Sequence, residues 1–108
     1  MNNQQITNPK VEVPKGMALN DKDHIGGILS ELKCMEKNYA VALTEASNET
    51  LYQSYKTMFN GIAALQREVY ELMFRCGWYP MEKAPADKIS QTSQMLTQEW
   101  NDLSQGNA

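Results

Sequence analysis

Apolar residues recur at steps of three and four through most of the chain, separated by short polar breaks. The first stripe is Ile25, Ile28, Leu29, Leu32, Met35, Tyr39, Ala42, Leu43 and Ala46, the spacing of one helical face. "LNDKDHI" opens it: Asn20 suits the N-cap, where its side chain accepts from backbone N–H groups two or three residues on. Asp21 and Asp23 then place negative charge where the helix dipole favours it. Gly26 and Gly27 each weaken a helix by about 1 kcal/mol relative to Ala, which points to a close packing partner there. "EASNET" reads as a break and a restart, with Ser47 or Asn48 capping a second helix and Glu49 in its first turn.

The second stripe runs Leu51, Tyr52, Tyr55, Met58, Phe59, Ile62, Leu65, Val69, Leu72, Met73 and Cys76. So short a connection predicts that the two helices lie antiparallel. Gly77 suits the left-handed position that closes many helices, Trp78 the hydrophobic contact that often accompanies it, and Pro80 stops any continuation. A third helix opens around "EKAPADKI", with Pro85 near its first turn. Ile89, Met95, Leu96, Trp100 and Leu103 give it a sparser apolar side, and it ends by Gln105 and Gly106.

The predicted architecture is all-α: an antiparallel hairpin of two long helices plus a shorter third. Residues 1–16, polar and containing Pro9, Pro14 and Gly16, form a flexible N-terminal arm ahead of a helical domain at 17–104 and a disordered tail at 105–108. Val11 and Val13 alternate with charged residues, so part of the arm is either a short extended strap or free. In a hairpin turning near residue 47, Trp78 and Tyr79 return beside Met17–Asp23. They either plug that open end or offer an aromatic platform to a ligand; the plug is favoured, because buried aromatics contribute large area and need one polar partner each.

Each long helix carries a stripe wider than one partner covers. A fully buried large side chain contributes about 1.5–3 kcal/mol, so two hairpins from two chains are expected to complete a four-helix bundle. The alternative is a three-helix bundle with the arm covering the remaining groove. The side chains expected to carry packing and interaction are Trp78, Tyr79, Tyr39, Tyr55, Phe59, Phe74 and Trp100.

Composition adds exclusions. With 108 residues, 42% hydrophobic and 21% charged, the chain is of ordinary soluble type and fits one domain. A net charge of −3 without a basic cluster argues against nucleic acid or anionic membrane as partner. Apolar runs are too short to span a bilayer. "MNNQQITNPK" lacks the regions of a secretory signal, so a cytoplasmic origin is expected. Cys34 and Cys76 make no disulfide framework. By helical rise they lie on the order of 20 Å apart, beyond the roughly 4.4–6.8 Å between Cα atoms that a bridge needs.

Candidate chemistry is sparse. A di-metal carboxylate bundle needs a Glu from each of two helices and Glu-x-x-His from the other two. The single histidine, His24, follows Asp21 at that distance, and Glu31, Glu36, Glu68 and Glu71 have no histidine three residues on. With Lys33, Lys37 and Arg67 nearby they read as solvated helix faces. A cysteine nucleophile would need His24 as its base, and His24 lies roughly 15 Å from Cys34 along one helix. There is no glycine-rich phosphate loop and no Gly-x-Ser-x-Gly turn. No enzymatic site, cofactor or metal is expected.

Asn20-Asp21-Lys22-Asp23, Glu36-Lys37, Asn38-Tyr39, Glu45-Ala46-Ser47, Gln66-Arg67-Glu68, Leu72-Met73-Phe74 and Gly77-Trp78-Tyr79 together resemble the coat F family of spore coat proteins in endospore-forming Firmicutes. The resemblance covers roughly residues 11–103. Gly26-Gly27 and the two cysteines depart from the family's pattern. The resemblance implies a ferritin-like helical fold without enzymatic role, made in the mother-cell cytoplasm and carried into the spore coat. It implies other spore coat proteins as partners, beside the homodimer expected from the stripes. The five tyrosines, Tyr39, Tyr52, Tyr55, Tyr70 and Tyr79, are read as packing residues before oxidative cross-linking sites. The alternative function is a degenerate ferritin-like metal-binding or redox protein.

Overall fold

A computed structural model describes residues 5–106; expectations for 1–4 and 107–108 lie outside the described residues. The elements are β1 (Gln5–Ile6), α1 (Asp21–Glu45), α2 (Glu49–Arg75), β2 (Met81–Glu82) and α3 (Ala86–Gly106). They divide into two compact units, one formed by Thr7–Pro80 and the other, among the described residues, by Gln5–Ile6 with Met81–Gly106. The expected all-α hairpin of two long helices with a shorter third is what is observed.

In the larger unit α1 and α2 pack against each other along their lengths. The start of α1 is fixed by a reciprocal capping box. The Asn20 side chain accepts from the Asp23 amide at 3.0 Å, and the Asp23 carboxylate accepts from the Asn20 amide at 3.2 Å. Two orphan donors are satisfied at once. Asn48, rather than Ser47, caps α2 by accepting from the Leu51 amide at 3.1 Å. Only Ala46, Ser47 and Asn48 separate the helices, so α2 can only turn back along α1.

The seam between them is thin. Among the described residues Leu29, Leu32 and Met73 are the buried hydrophobic ones. Tyr39 and Tyr55 meet edge to face across the seam with centroids 6.1 Å apart. Gly26 faces Met73, whose Cε would lie 3.8 Å from an added Cβ. This matches the close partner expected at that glycine; Gly27 has open space and no such partner.

The smaller unit pairs β1 with β2 antiparallel, Gln5 opposite Glu82 and Ile6 opposite Met81. The hydrophobic pattern does not signal a strand at 81–82, because two residues are too few to show period-two alternation. Pro85 stands just before α3 and its carbonyl accepts from the Ile89 amide at 3.1 Å. It therefore occupies the capping position, one step ahead of the first helical residue. No residue of α3 is buried; Trp100 and Leu103 are 70% and 67% exposed.

Replacing either capping asparagine by alanine should cost about 1 kcal/mol. For a unit of this size that lowers the melting temperature by roughly 4–8 °C, read from the helical circular dichroism signal of Asn20→Ala and Asn48→Ala.

Candidate interaction site at the open end of the hairpin

The end of α2 is closed by backbone geometry that requires glycine. Gly77 has φ 72°, in the left-handed region where side chains clash. Its amide donates to the Phe74 carbonyl at 3.1 Å, and the Trp78 amide donates to Met73 at 2.9 Å. This pair is the Schellman arrangement. It reverses the chain and aims Trp78 and Tyr79 back at the hairpin.

The arm lies against this turn. The Asn8 side-chain amide donates to the Phe74 carbonyl at 2.9 Å. The Val11 amide donates to Cys76 at 2.8 Å, and the Trp78 indole N–H donates back to the Val11 carbonyl at 2.9 Å. The Val11 bond gives the Cys76 carbonyl a partner at the helix end, and Asn8 adds a second donor to the Phe74 carbonyl that Gly77 already meets. Gly77 is enclosed by the arm's backbone: an added Cβ would lie 2.6 Å from the Asn8 oxygen and 2.8 Å from both the Pro9 oxygen and the Lys10 Cα. Residues 8–11 are thus an ordered strap across the end of α2. They do not lie along the groove between the helices, where the three-helix alternative would need them.

Trp78 shares one shallow depression with Lys10–Gly16, Asn20, Lys22 and Asp23, beside the start of α1. Met17 and Leu19 stay exposed, so the ring meets the strap and the first turn of α1 without enclosing the residues between. Tyr79 points along the other side of the hairpin. Its hydroxyl accepts from the Lys33 ammonium at 3.0 Å, and its ring meets Tyr70 edge to face at 4.9 Å. The same ammonium lies 4.9 Å from the Tyr79 centroid; with the oxygen so much nearer, the hydrogen bond is the main contact and ring attraction secondary. Arg67 extends the row, its guanidinium 5.1 Å from the Tyr70 centroid and 3.0 Å from Glu71. That ion pair is exposed on both sides and contributes at most a few tenths of a kcal/mol.

The residues expected to carry interaction are therefore spread over several places. Trp78 and Tyr79 flank the Gly77 turn, and Phe74 offers it a carbonyl. Tyr39 and Tyr55 lie in the seam. Phe59 lines a shallow depression with Lys33, Glu36, Lys37 and Ala40. Trp100 lies on α3 in the other unit. Sequence reasoning missed Asn8, Lys33 and Tyr70 as partners of this end; each meets residues 46 or more positions away, or a ring turned back by Gly77, and periodicity carries no signal for either. Cys34 is exposed, Cys76 half-buried, and both are free thiols.

A family model described as the Coat F domain matches residues 20–82, from the α1 cap to the end of β2. The chain belongs to the Coat F family. It is also 38% identical over 96 residues to "Uncharacterized protein YusN" of Bacillus subtilis (strain 168), covering 89% of this chain and 87% of that relative. No solved structure matches the chain. The Coat F segment contains the two caps, the seam, the Gly77 turn and the Lys33–Tyr79 contact, whereas the strap and α3 fall outside it. Membership associates the chain with the spore coat. No helix among the described residues is long and apolar enough to cross a membrane.

Gly77→Ala should destabilise the protein by at least about 1–2 kcal/mol from the left-handed backbone alone, with a further loss because the strap must move. Hydrogen exchange should show the Val11 amide losing protection before the middle of α2 does. Trp78→Phe keeps most of the ring and removes the indole donor, so a smaller loss of about 1 kcal/mol, with the same loss of protection at Val11, is the expected result.

Proposed function

We propose that this Coat F protein is a non-catalytic structural component of the spore coat. It is made in the cytoplasm of the sporulating mother cell and assembled onto the spore. Its exposed helical faces join it to further copies of itself and to other coat proteins. The observation that carries this reading is the Coat F match over residues 20–82.

The distribution of apolar side chains supports it. Leu51, Met58 and Leu65 on α2 and Ile89, Leu96, Trp100 and Leu103 on α3 are exposed. Large apolar side chains grouped on the outside of a chain mark protein contact surfaces. The scaffold is ferritin-like in this reading: paired long helices whose bundle is completed from another chain. The degenerate metal or redox alternative would need a ligand cluster, and among the described residues no group of three or more His, Cys, Asp or Glu could hold a metal ion.

Fractionation of sporulating cells and purified spores, followed by quantitative mass spectrometry, tests the proposal. The chain should stay with the coat fraction through detergent washing and be absent from vegetative cytoplasm. A protein that remains soluble in the mother cell, or is abundant during growth, would overturn it.

A further inference from the structure

Residues 5–11 are held by hydrogen bonds to or from backbone groups. In the larger unit the Val11 amide donates to Cys76, the Trp78 indole donates to the Val11 carbonyl and the Asn8 side-chain amide donates to Phe74. In the smaller unit β1 pairs with β2 by a two-residue ladder. All of these partners lie between residues 74 and 82. Hydrophobic burial adds little, since Ile6 and Val11 are 44% and 49% exposed. A segment with few buried apolar contacts and solvated hydrogen bonds opens more easily than the helices it lies on. The connector from this arm to α1, residues 12–19, has no regular structure. Met17 is fully exposed and Leu19 largely so, while Val13 is half-buried in the depression beside Trp78. A long, exposed hydrogen bond from the Asn20 side-chain amide to the Pro14 carbonyl, 3.3 Å, ties it to the α1 cap. Its bend is set at Gly16, whose φ is 130°. An added Cβ there would meet nothing within 4 Å, so backbone conformation alone calls for glycine at this position.

From this hinge and its seat, and resting on the self-associating reading above, we propose that the arm is an exchangeable latch. It turns about Gly16 and docks either on its own chain's Gly77 turn or on the Gly77 turn of a second copy. Three features select a second copy's arm as the other occupant. The seat is particular to this sequence. It takes the side-chain amide of Asn8 and both backbone groups of Val11, and between them a backbone that crosses Gly77 closely, the Lys10 Cα lying 2.8 Å from where a Cβ would stand. Every copy of the chain carries an arm of that pattern. The contacts are also the same whichever chain supplies the arm, so exchange conserves them, and the connector adds little that marks an arm as its own. Reach is the third feature. Eight residues extend roughly 26–29 Å, enough to meet a neighbour packed alongside without disturbing α1. Local concentration then divides the two states: dilute chains keep their own arm, and crowded chains take a neighbour's.

Isotope-filtered NMR on mixed full-length chains tests the latch. Labelled and unlabelled wild-type protein, unfolded together in denaturant and refolded at high concentration, should show NOEs between Val11 of a labelled copy and the Trp78 indole of an unlabelled one. Mixing before refolding prevents slow exchange from hiding the contact, and the measurement needs no substitution in the seat. The ratio of between-copy to within-copy intensity should rise with protein concentration. Gly16→Ala strains the bent connector but not an extended one, so it should raise that ratio about tenfold and leave the helical circular dichroism unchanged. Wild-type chains without between-copy NOEs at any concentration would overturn the proposal. So would a ratio that Gly16→Ala leaves unchanged or lowers. Spore fractionation of the same proteins separates this proposal from the coat assignment. A chain retained in the coat whose arm never exchanges would sink the latch alone, and an exchanging chain absent from the coat would sink only the coat assignment.

Discussion

Two helices side by side share a single line of contact, and that constraint governs this protein. The three-residue break at Ala46–Asn48 commits α2 to return along α1, and the seam buries Leu29, Leu32 and Met73. Apolar residues that continue round either helix past the seam have nothing within the hairpin to pack on. Burial adds stability in proportion to the area removed from water, so a hairpin of this kind is held together modestly and keeps much of its potential stabilisation for contacts outside itself.

How the ends are finished matters more when the middle is thin. The capping box at Asn20, the Asn48 cap and the Gly77 reversal each satisfy backbone groups that would otherwise fray into water. The strap adds Asn8 and Val11 to the carbonyls at the end of α2, so the open end of the hairpin is tied as well as the turned one. Tyr79 and Lys33 tie the same end from the other side. The conformational order of two helices of 25 and 27 residues thus rests on a few polar contacts at the termini as much as on the seam.

What could be read in advance follows from the range of each interaction. Caps and the glycine reversal are decided within a few residues, so Asn20 and Gly77 were legible, the α2 cap was narrowed to Ser47 or Asn48, and the stripes that define the helices were plain. The strap was legible only as a choice between ordered and free. Nothing near Val11 announces that its carbonyl meets Trp78, 67 positions away. The β1–β2 pair and the Lys33–Tyr79 bond are hidden for the same reason. Trp78 and Tyr79 were read together at the open end, and the structure separates their tasks: one ring meets the strap, the other a lysine and a tyrosine on the opposite flank. The family, by contrast, was visible in short clusters scattered over the helices, among them the Asn20 cap, Met73 of the seam and the Gly77 turn.

The strap has a consequence for the order in which the molecule takes shape. Helices form from local contacts on a sub-microsecond timescale, and a hairpin with a three-residue turn needs little chain closure. The Asn8–Phe74 bond closes a loop with its ends 66 residues apart and has no partner until that far end exists. A ribosome releases the strap first, yet its seat is the last part of Thr7–Pro80 to be made. During synthesis those early residues must wait unpaired while both helices emerge, so the segment made first is the one placed last.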